Sequence, residues 1–238
     1  MNDPQHQFED LIAARLAAVR TRIAAAERTY GRPPGAVTLL AVSKTQPVEI
    51  IAAAVKAGQR DFGESYLQEA QPKLEALGME NLTWHFTGAV QSNKTLWIAQ
   101  HFAWVHSVDR LKIAERLNAQ RPAHLPALNI CLQVKLGAEP QKAGVEPAHL
   151  PELARAVAAL PRLRLHGLMA LPPESADFTT QRHYFRALHE ALQALHEQGL
   201  HLDTLSMGMS QDLEAAIAEG ATLVRVGTAL FGARPRKA

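Results

Sequence analysis

Near the start of the chain, Phe8, Leu11, Ile12, Leu16, Val19 and Ile23 recur at three- and four-residue steps, the period of an amphipathic helix over residues 6–30. The string GRPPG at 31–35 ends it, because two prolines and two glycines cannot continue a helix. From there, short apolar runs alternate with longer stretches of helical period. VTLLAVSK (37–44) is a continuous apolar run of the kind buried on both faces of a parallel sheet. Pro47 then opens VEIIAAAVKAG, a helix that Gly58 is placed to cap. The unit repeats. Strands are predicted near 60–64, 82–90, 102–108, 127–136, 163–171, 203–208 and 222–228, and helices near 65–77, 91–99, 110–119, 147–160, 177–198 and 211–219. Eight strands alternating with helices predict an α/β fold in one domain, residues 1–238: a (β/α)8 TIM barrel with an extra N-terminal helix. A doubly wound open sheet is the alternative, but it normally announces a glycine-rich first turn. The chain has no G-x-G string, so it carries neither a dinucleotide fingerprint nor a Walker A loop.

Composition narrows the partners. The 238 residues include 25 Lys+Arg and 23 Asp+Glu, a net charge of +2, which makes no electrostatic case for nucleic acid or an anionic membrane. The single cysteine, Cys131, excludes an internal disulfide and a CxxC metal knuckle, and it reads as a small hydrophobe buried on a strand. A lone thiol fits a reducing compartment. The polar start MNDPQHQFED has no apolar signal region, and no run approaches the ~20 apolar residues of a spanning helix. A cytoplasmic location is expected.

In a barrel the active site lies at the C-terminal ends of the strands, which converts the strand register into candidate residues. The first strand ends in Ser43–Lys44–Thr45, the second in Gly63–Glu64–Ser65, the seventh in Met207–Gly208–Met209–Ser210 and the eighth in Arg225–Val226–Gly227–Thr228. Counting by twos, Lys44 shares a strand face with Leu40 and Val42. A lysine among apolar neighbours has a lowered pKa and can present the neutral amine that Schiff-base formation needs, although it can equally snorkel into solvent. Gly227 and Thr228 let backbone N–H groups and a hydroxyl approach an anion. Ser210, ahead of Asp212, Leu213 and Glu214, is placed to cap the next helix and leave its N-terminus to a phosphate. Arg225 alternates with Val224 and Val226 and so faces the barrel mouth, where it needs an acceptor: a carboxylate such as Glu64, or a ligand ring nitrogen. Among the 11 histidines no HExxH occurs, so no zinc site is expected. His85 and His106 lie on strands near the mouth, while His183, His189 and His196 read as a solvated helix face.

The strings LLAVSKTQP, FGESYLQEA, WHFTGAVQSNK, VHSVD, PRLRLHGLMAL, LSMGMSQDLEAAIAEG and VRVGTALFG, in this order, resemble those of the pyridoxal phosphate homeostasis proteins (the YggS/PROSC family). The resemblance runs from about residue 8 to 233 and implies a barrel of the alanine racemase N-terminal type, fold type III-like, with no second domain. It implies pyridoxal 5′-phosphate (PLP) held as an aldimine on Lys44, phosphate contacts from Ser210, Gly227 and Thr228, and Arg225 facing the pyridine nitrogen. Ser65 stands where the family commonly has Asn. Gly88–Ala89–Val90–Gln91 and Gln211–Asp212 also depart from its usual strings, without touching the lysine or the phosphate turn.

Arg225 bears on activity. A guanidinium does not give up its proton, so it would leave the ring nitrogen unprotonated and weaken carbanion stabilisation. Alanine racemases also add a β-rich second domain and a tyrosine base from a dimer partner. Here the chain is expected to end after the eighth strand with ARPRKA, and Tyr30, Tyr66 and Tyr184 read as helix or helix-end residues. The expectation is therefore a PLP-binding protein that maintains intracellular PLP (vitamin B6) without robust catalysis. It would be a monomer able to pass PLP to PLP-dependent apo-enzymes, with neither nucleic acid nor membrane as partner. Alternatives are a PLP-dependent amino-acid racemase or related Schiff-base enzyme, and a PLP-free barrel lyase.

Overall fold

The computed structural model describes residues 4–137 and 143–232; residues 1–3 and the tail at 233–238 lie outside the described residues. The apolar runs become eight parallel strands: β1 (Thr38–Val42), β2 (Asp61–Glu64), β3 (Thr83–Phe86), β4 (Trp104–Val108), β5 (Leu128–Gln133), β6 (Leu163–Met169), β7 (Thr204–Ser206) and β8 (Leu223–Val226). Each pairs with its sequence neighbour, and β1 pairs with β8 in the register Leu40↔Arg225 to close the barrel. The helices are α1 (Pro4–Thr29), α2 (Val48–Lys56), α3 (Leu67–Leu77), α4 (Thr95–His101), α5 (Leu111–Gln120), α6 (Leu150–Ala158), α7 (Phe178–Glu197), α8 (Leu213–Ala218) and α9 (Thr228–Phe231).

Several strands are shorter than their apolar runs, and glycines account for two of the stops. The run at 82–90 leaves the ladder after Phe86, and a Cβ on Gly88 would lie 2.1 Å from the Ser65 carbonyl oxygen. The run at 222–228 divides: β8 ends at Val226, and Gly227 precedes the single turn of α9.

Outward-facing strand residues such as Phe62, Trp84, Val105, Ile130 and Leu168 form one apolar cluster with Ile51, Ile98, Ile113, Leu188 and their neighbours on the helices. α1 adds Ile12, Leu16, Val19, Ile23 and Ala26 and packs on α2, α8 and α9, over the seam where β1 meets β8. Leu11, which the periodicity also assigns to that face, is 45% exposed, because Ile12 takes the inward place in its turn. The Glu27 carboxylate accepts the N–H groups of Gly35 and Val37 at 3.1 and 2.9 Å, fastening the GRPPG turn into β1. Among the described residues no helix is long and apolar enough to cross a membrane.

The barrel interior departs from the usual filling of branched apolar side chains. His106 on β4 reaches Ser206 on β7, and Ser206 meets Arg225 on β8, contacts that only the interior allows. Cys131 is buried on β5, as its sequence environment predicts.

Candidate functional site

A cavity of about 240 Å³ opens at the C-terminal ends of the strands, lined by Lys44, Ser210, Arg225, Gly227 and Thr228 together with Val42, Glu174, Ser175 and Met209 to Asp212. The tertiary structure thus gathers all five residues singled out from three separate stretches of sequence. A wider depression of about 400 Å³ lies between α1 and the starts of β1 and β2, at the opposite end. It is more open and holds none of these residues.

Lys44 stands two residues beyond Val42, half-buried at the mouth end of β1. The peptides on both sides of it are held by α3. Lys73 Nζ donates to the Ser43 carbonyl at 2.8 Å, and the Glu69 carboxylate accepts the Thr45 N–H at 2.7 Å. Between these bonds Thr45 adopts φ 65°, a left-handed conformation that is strained for a β-branched residue. Its hydroxyl is buried without a hydrogen-bond partner. Neither Lys73 nor Glu69 was singled out from the sequence. Four residues apart on a helix, they read there as an ordinary surface pair.

Glu64 does not meet Arg225, contrary to the first alternative drawn from the sequence. Alternation along β2 sends Gly63 toward Leu40 and Val42 inside the barrel, and Phe62 and Glu64 outward. Glu64 Oε1 therefore accepts from Lys73 Nζ at 2.8 Å and from the Ser43 hydroxyl at 2.6 Å. Burial pushes the Glu64 carboxyl above the usual range, and Lys73 pulls it back. Its second oxygen is buried and unpartnered.

Arg225 points inward, as alternation requires. It donates to the Ser206 carbonyl, to Ser206 Oγ at 2.8 Å and to the Ala170 carbonyl at 2.8 Å. Burial lowers its pKa to about 10, with the nearby charge of Asp212 opposing.

Ser210 does not cap α8. Asp212 immediately precedes that helix and folds back to accept the Met209 N–H, while Ser210 Oγ accepts the Ala229 N–H at 3.2 Å. The serine thus ties the loop after β7 to the first turn of α9, between the two segments expected to hold an anion. Two glycines make the cradle possible. Gly208 has φ +91°, and a Cβ there would lie 2.5 Å from that of Ala216; one on Gly227 would lie 3.2 Å from the Val42 carbonyl oxygen. Thr228 is exposed at the start of α9 and lines the cavity.

The strand histidines sit deeper than the mouth. His85 and His106 are buried, 2.9 Å apart through Nδ1 and Nε2, and burial pushes both below the usual imidazole value. Of the histidines His183, His189 and His196 on α7, only His183 is exposed. His189 and His196 are half-buried against the carbonyls of Glu219 and Leu202, which corrects their reading as a solvated face.

The closed parallel barrel sets an amine, a buried guanidinium and a glycine–hydroxyl turn around one mouth cavity, and by its sequence it is of the alanine racemase N-terminal class. The family model described as alanine racemase, N-terminal domain, matches residues 14–235. The pyridoxal phosphate homeostasis protein of Pseudomonas aeruginosa is 58% identical over 223 residues, 94% of this chain and 96% of that relative. The protein of the same name from Escherichia coli strain K12 is 53% identical over 226 residues, 94% and 97% of the two chains. The structure of PipY from Synechococcus elongatus PCC7942 with PLP bound superposes with a TM-score of 0.82 at 40% identity, covering 93% of this chain and all of that one. The chain belongs to the pyridoxal phosphate homeostasis protein family.

Proposed function

We propose that the protein binds PLP reversibly through Lys44 and so maintains the intracellular supply of this vitamin B6 cofactor. One observation carries the reading: Lys44, Arg225 and the Ser210–Gly227–Thr228 cradle line a single cavity of about 240 Å³. That volume suits a one-ring phosphate ester better than a drug-sized ligand, whose pockets run from ~300 to 1,000 Å³. The PLP-bound PipY structure supports the same assignment.

In this reading Lys44 is the covalent anchor, aimed by the two bonds from α3. Backbone N–H groups at Gly227 and Thr228, with the Thr228 and Ser210 hydroxyls, hold the phosphate dianion. Arg225 faces the ring nitrogen. When bound, PLP supplies a carbonyl that condenses with amines and a ring that can accept electron density. The guanidinium keeps its proton at neutral pH, with a pKa of about 10, and donates toward the ring nitrogen instead of protonating it. A weak electron sink favours holding and releasing PLP over robust catalysis. The names of the curated relatives, homeostasis proteins, support this side. The reading extends to a one-domain cytoplasmic monomer that releases PLP to apo-enzymes from the open mouth of the barrel.

Membership of the alanine racemase N-terminal class favours amino-acid racemisation as the second reading. Racemisation needs an acid–base partner opposite the anchoring lysine, and no tyrosine or histidine is among the described residues lining the cavity.

An absorption spectrum before and after borohydride reduction, with the modified peptide mapped, tests the anchor. Lys44→Ala is expected to abolish the visible band while the far-ultraviolet circular dichroism is retained. A label on another lysine would refute the assignment. Steady multiple-turnover racemisation of a single L-amino acid would refute the carrier reading.

A further inference from the structure

Behind the cavity a chain of hydrogen bonds crosses the barrel interior. Arg225 Nη1 donates to Ser206 Oγ at 2.8 Å, and Ser206 Oγ lies 2.8 Å from His106 Nδ1. His106 Nε2 lies 2.9 Å from His85 Nδ1, and His85 Nε2 lies 3.3 Å from Asp61 Oδ1. Asp61, at the start of β2 and so at the end away from the cavity, has a side chain 31% exposed; the other four residues are buried.

The chemistry of the donors gives the chain a direction. A guanidinium only donates, and a neutral imidazole has one donor and one acceptor nitrogen. The Asp61 carboxylate can only accept, so His85 holds its proton on Nε2, its Nδ1 accepts from His106 Nε2, and the Ser206 proton goes to His106 Nδ1. His106 then carries its proton on Nε2 and donates to His85 Nδ1, and His85 donates through Nε2 to the Asp61 carboxylate. With both rings neutral, this assignment satisfies every link from cation to anion. Reversing both rings would set a bare His85 nitrogen against the carboxylate, two acceptors facing each other. Burial keeps both rings neutral. The titratable groups on the strands around them are Asp61 on β2, Cys131 on β5, His166 on β6 (across the Trp104 ring) and Arg225 on β8.

We propose that Ser206, His106 and His85 are positioning residues through which the Asp61 carboxylate orients and polarises the Arg225 guanidinium from the opposite end of the barrel. The consequence for the cofactor rests on the proposed function; the chain itself does not.

Two variants separate charge from connection. Asp61→Asn keeps an acceptor oxygen and removes the charge. Ser206→Ala cuts the chain and leaves Arg225 its two backbone carbonyls. Nitrogen-15 spectra of the PLP-free protein are expected to show His85 and His106 as Nε2–H tautomers. Asp61→Asn should shift the His106 and Arg225 side-chain resonances although the Asp61 carboxylate is bonded to neither, and the Arg225 shift should vanish in the Ser206→Ala background. In PLP-loaded protein, Asp61→Asn should lower the pH midpoint of the visible band, because losing a negative charge disfavours protonated groups. An Nδ1–H tautomer of His106 in the wild type would overturn the proposal. So would Arg225 resonances indifferent to Asp61→Asn, or equally shifted with and without Ser206. Failure to develop any visible band with PLP would refute the cofactor reading instead.

Discussion

Replacing Lys73 by Met tests whether α3 holds the strand end that presents Lys44. The lysine is 4% exposed and Glu64 is fully buried, so the pair lies out of reach of solvent screening. The substitution keeps most of the apolar stem but removes the charge and two hydrogen bonds, to Glu64 Oε1 and to the Ser43 carbonyl. Glu64 Oε2 already lacks a partner, so the stranded carboxylate would retain only the Ser43 hydroxyl. Breaking a buried ion pair from one side costs about 3–5 kcal/mol. A natural domain has only ~5–15 kcal/mol of stability, so the loss in urea unfolding at pH 8 is expected to be large. It also has a pH signature. Burial raises the folded-state pKa of Glu64 above its usual 4.5, and without Lys73 it rises further. A carboxyl raised in this way binds its proton more readily in the folded chain, so its stability cost grows as pH rises from 4.5 through the folded value. The gap between variant and wild type should therefore be widest at pH 8 and narrow toward pH 5. Adding Glu64→Gln removes the stranded charge and should recover more than half of the loss. A loss below about 1 kcal/mol, the worth of an exposed pair, would refute the reasoning. So would a loss unchanged between pH 8 and pH 5.

Thr228→Val is expected to weaken PLP retention by about 1.5–3 kcal/mol, one charge-assisted hydrogen bond; an unchanged dissociation constant would remove Thr228 from the phosphate site. Thr45→Gly should raise the melting temperature, since about 1–3 kcal/mol of backbone strain at φ 65° exceeds the entropic cost of glycine. A fall would mean that the threonine's contacts outweigh its strain. Gly208→Ala should lose about 2 kcal/mol or more, because φ +91° and an Ala216 Cβ only 2.5 Å away leave a methyl group no room. Wild-type stability in that variant would contradict the close packing of the β7 loop on α8.

The register of the barrel was readable from alternation, and some of its errors trace to signals that were present. Glu64 shares parity with Phe62, an apolar residue that must face the helices, so its outward direction was implicit in β2. Arg225 was placed correctly by the same reasoning from Val224 and Val226. The strand ends at Phe86 and Val226 were less legible, because close backbone approach at Gly88 and Gly227 concerns the neighbouring strand and loop. Nothing local marks Ser210 as the partner of Ala229 rather than the cap of α8.

By itself, then, the amino-acid order determined the alternation of strands and helices, the inward parity of Lys44 and Arg225, and the glycine–hydroxyl turn at 227–228. These are properties of neighbouring residues, set by the periods of the two backbone conformations. Closure of the barrel decided the rest. It joined His106 to Ser206, 100 residues away, and set Glu69 and Lys73 against the peptides on either side of Lys44. Such partners are chosen by which side chains the closed sheet brings within about 3 Å, and a one-dimensional period carries no record of that distance.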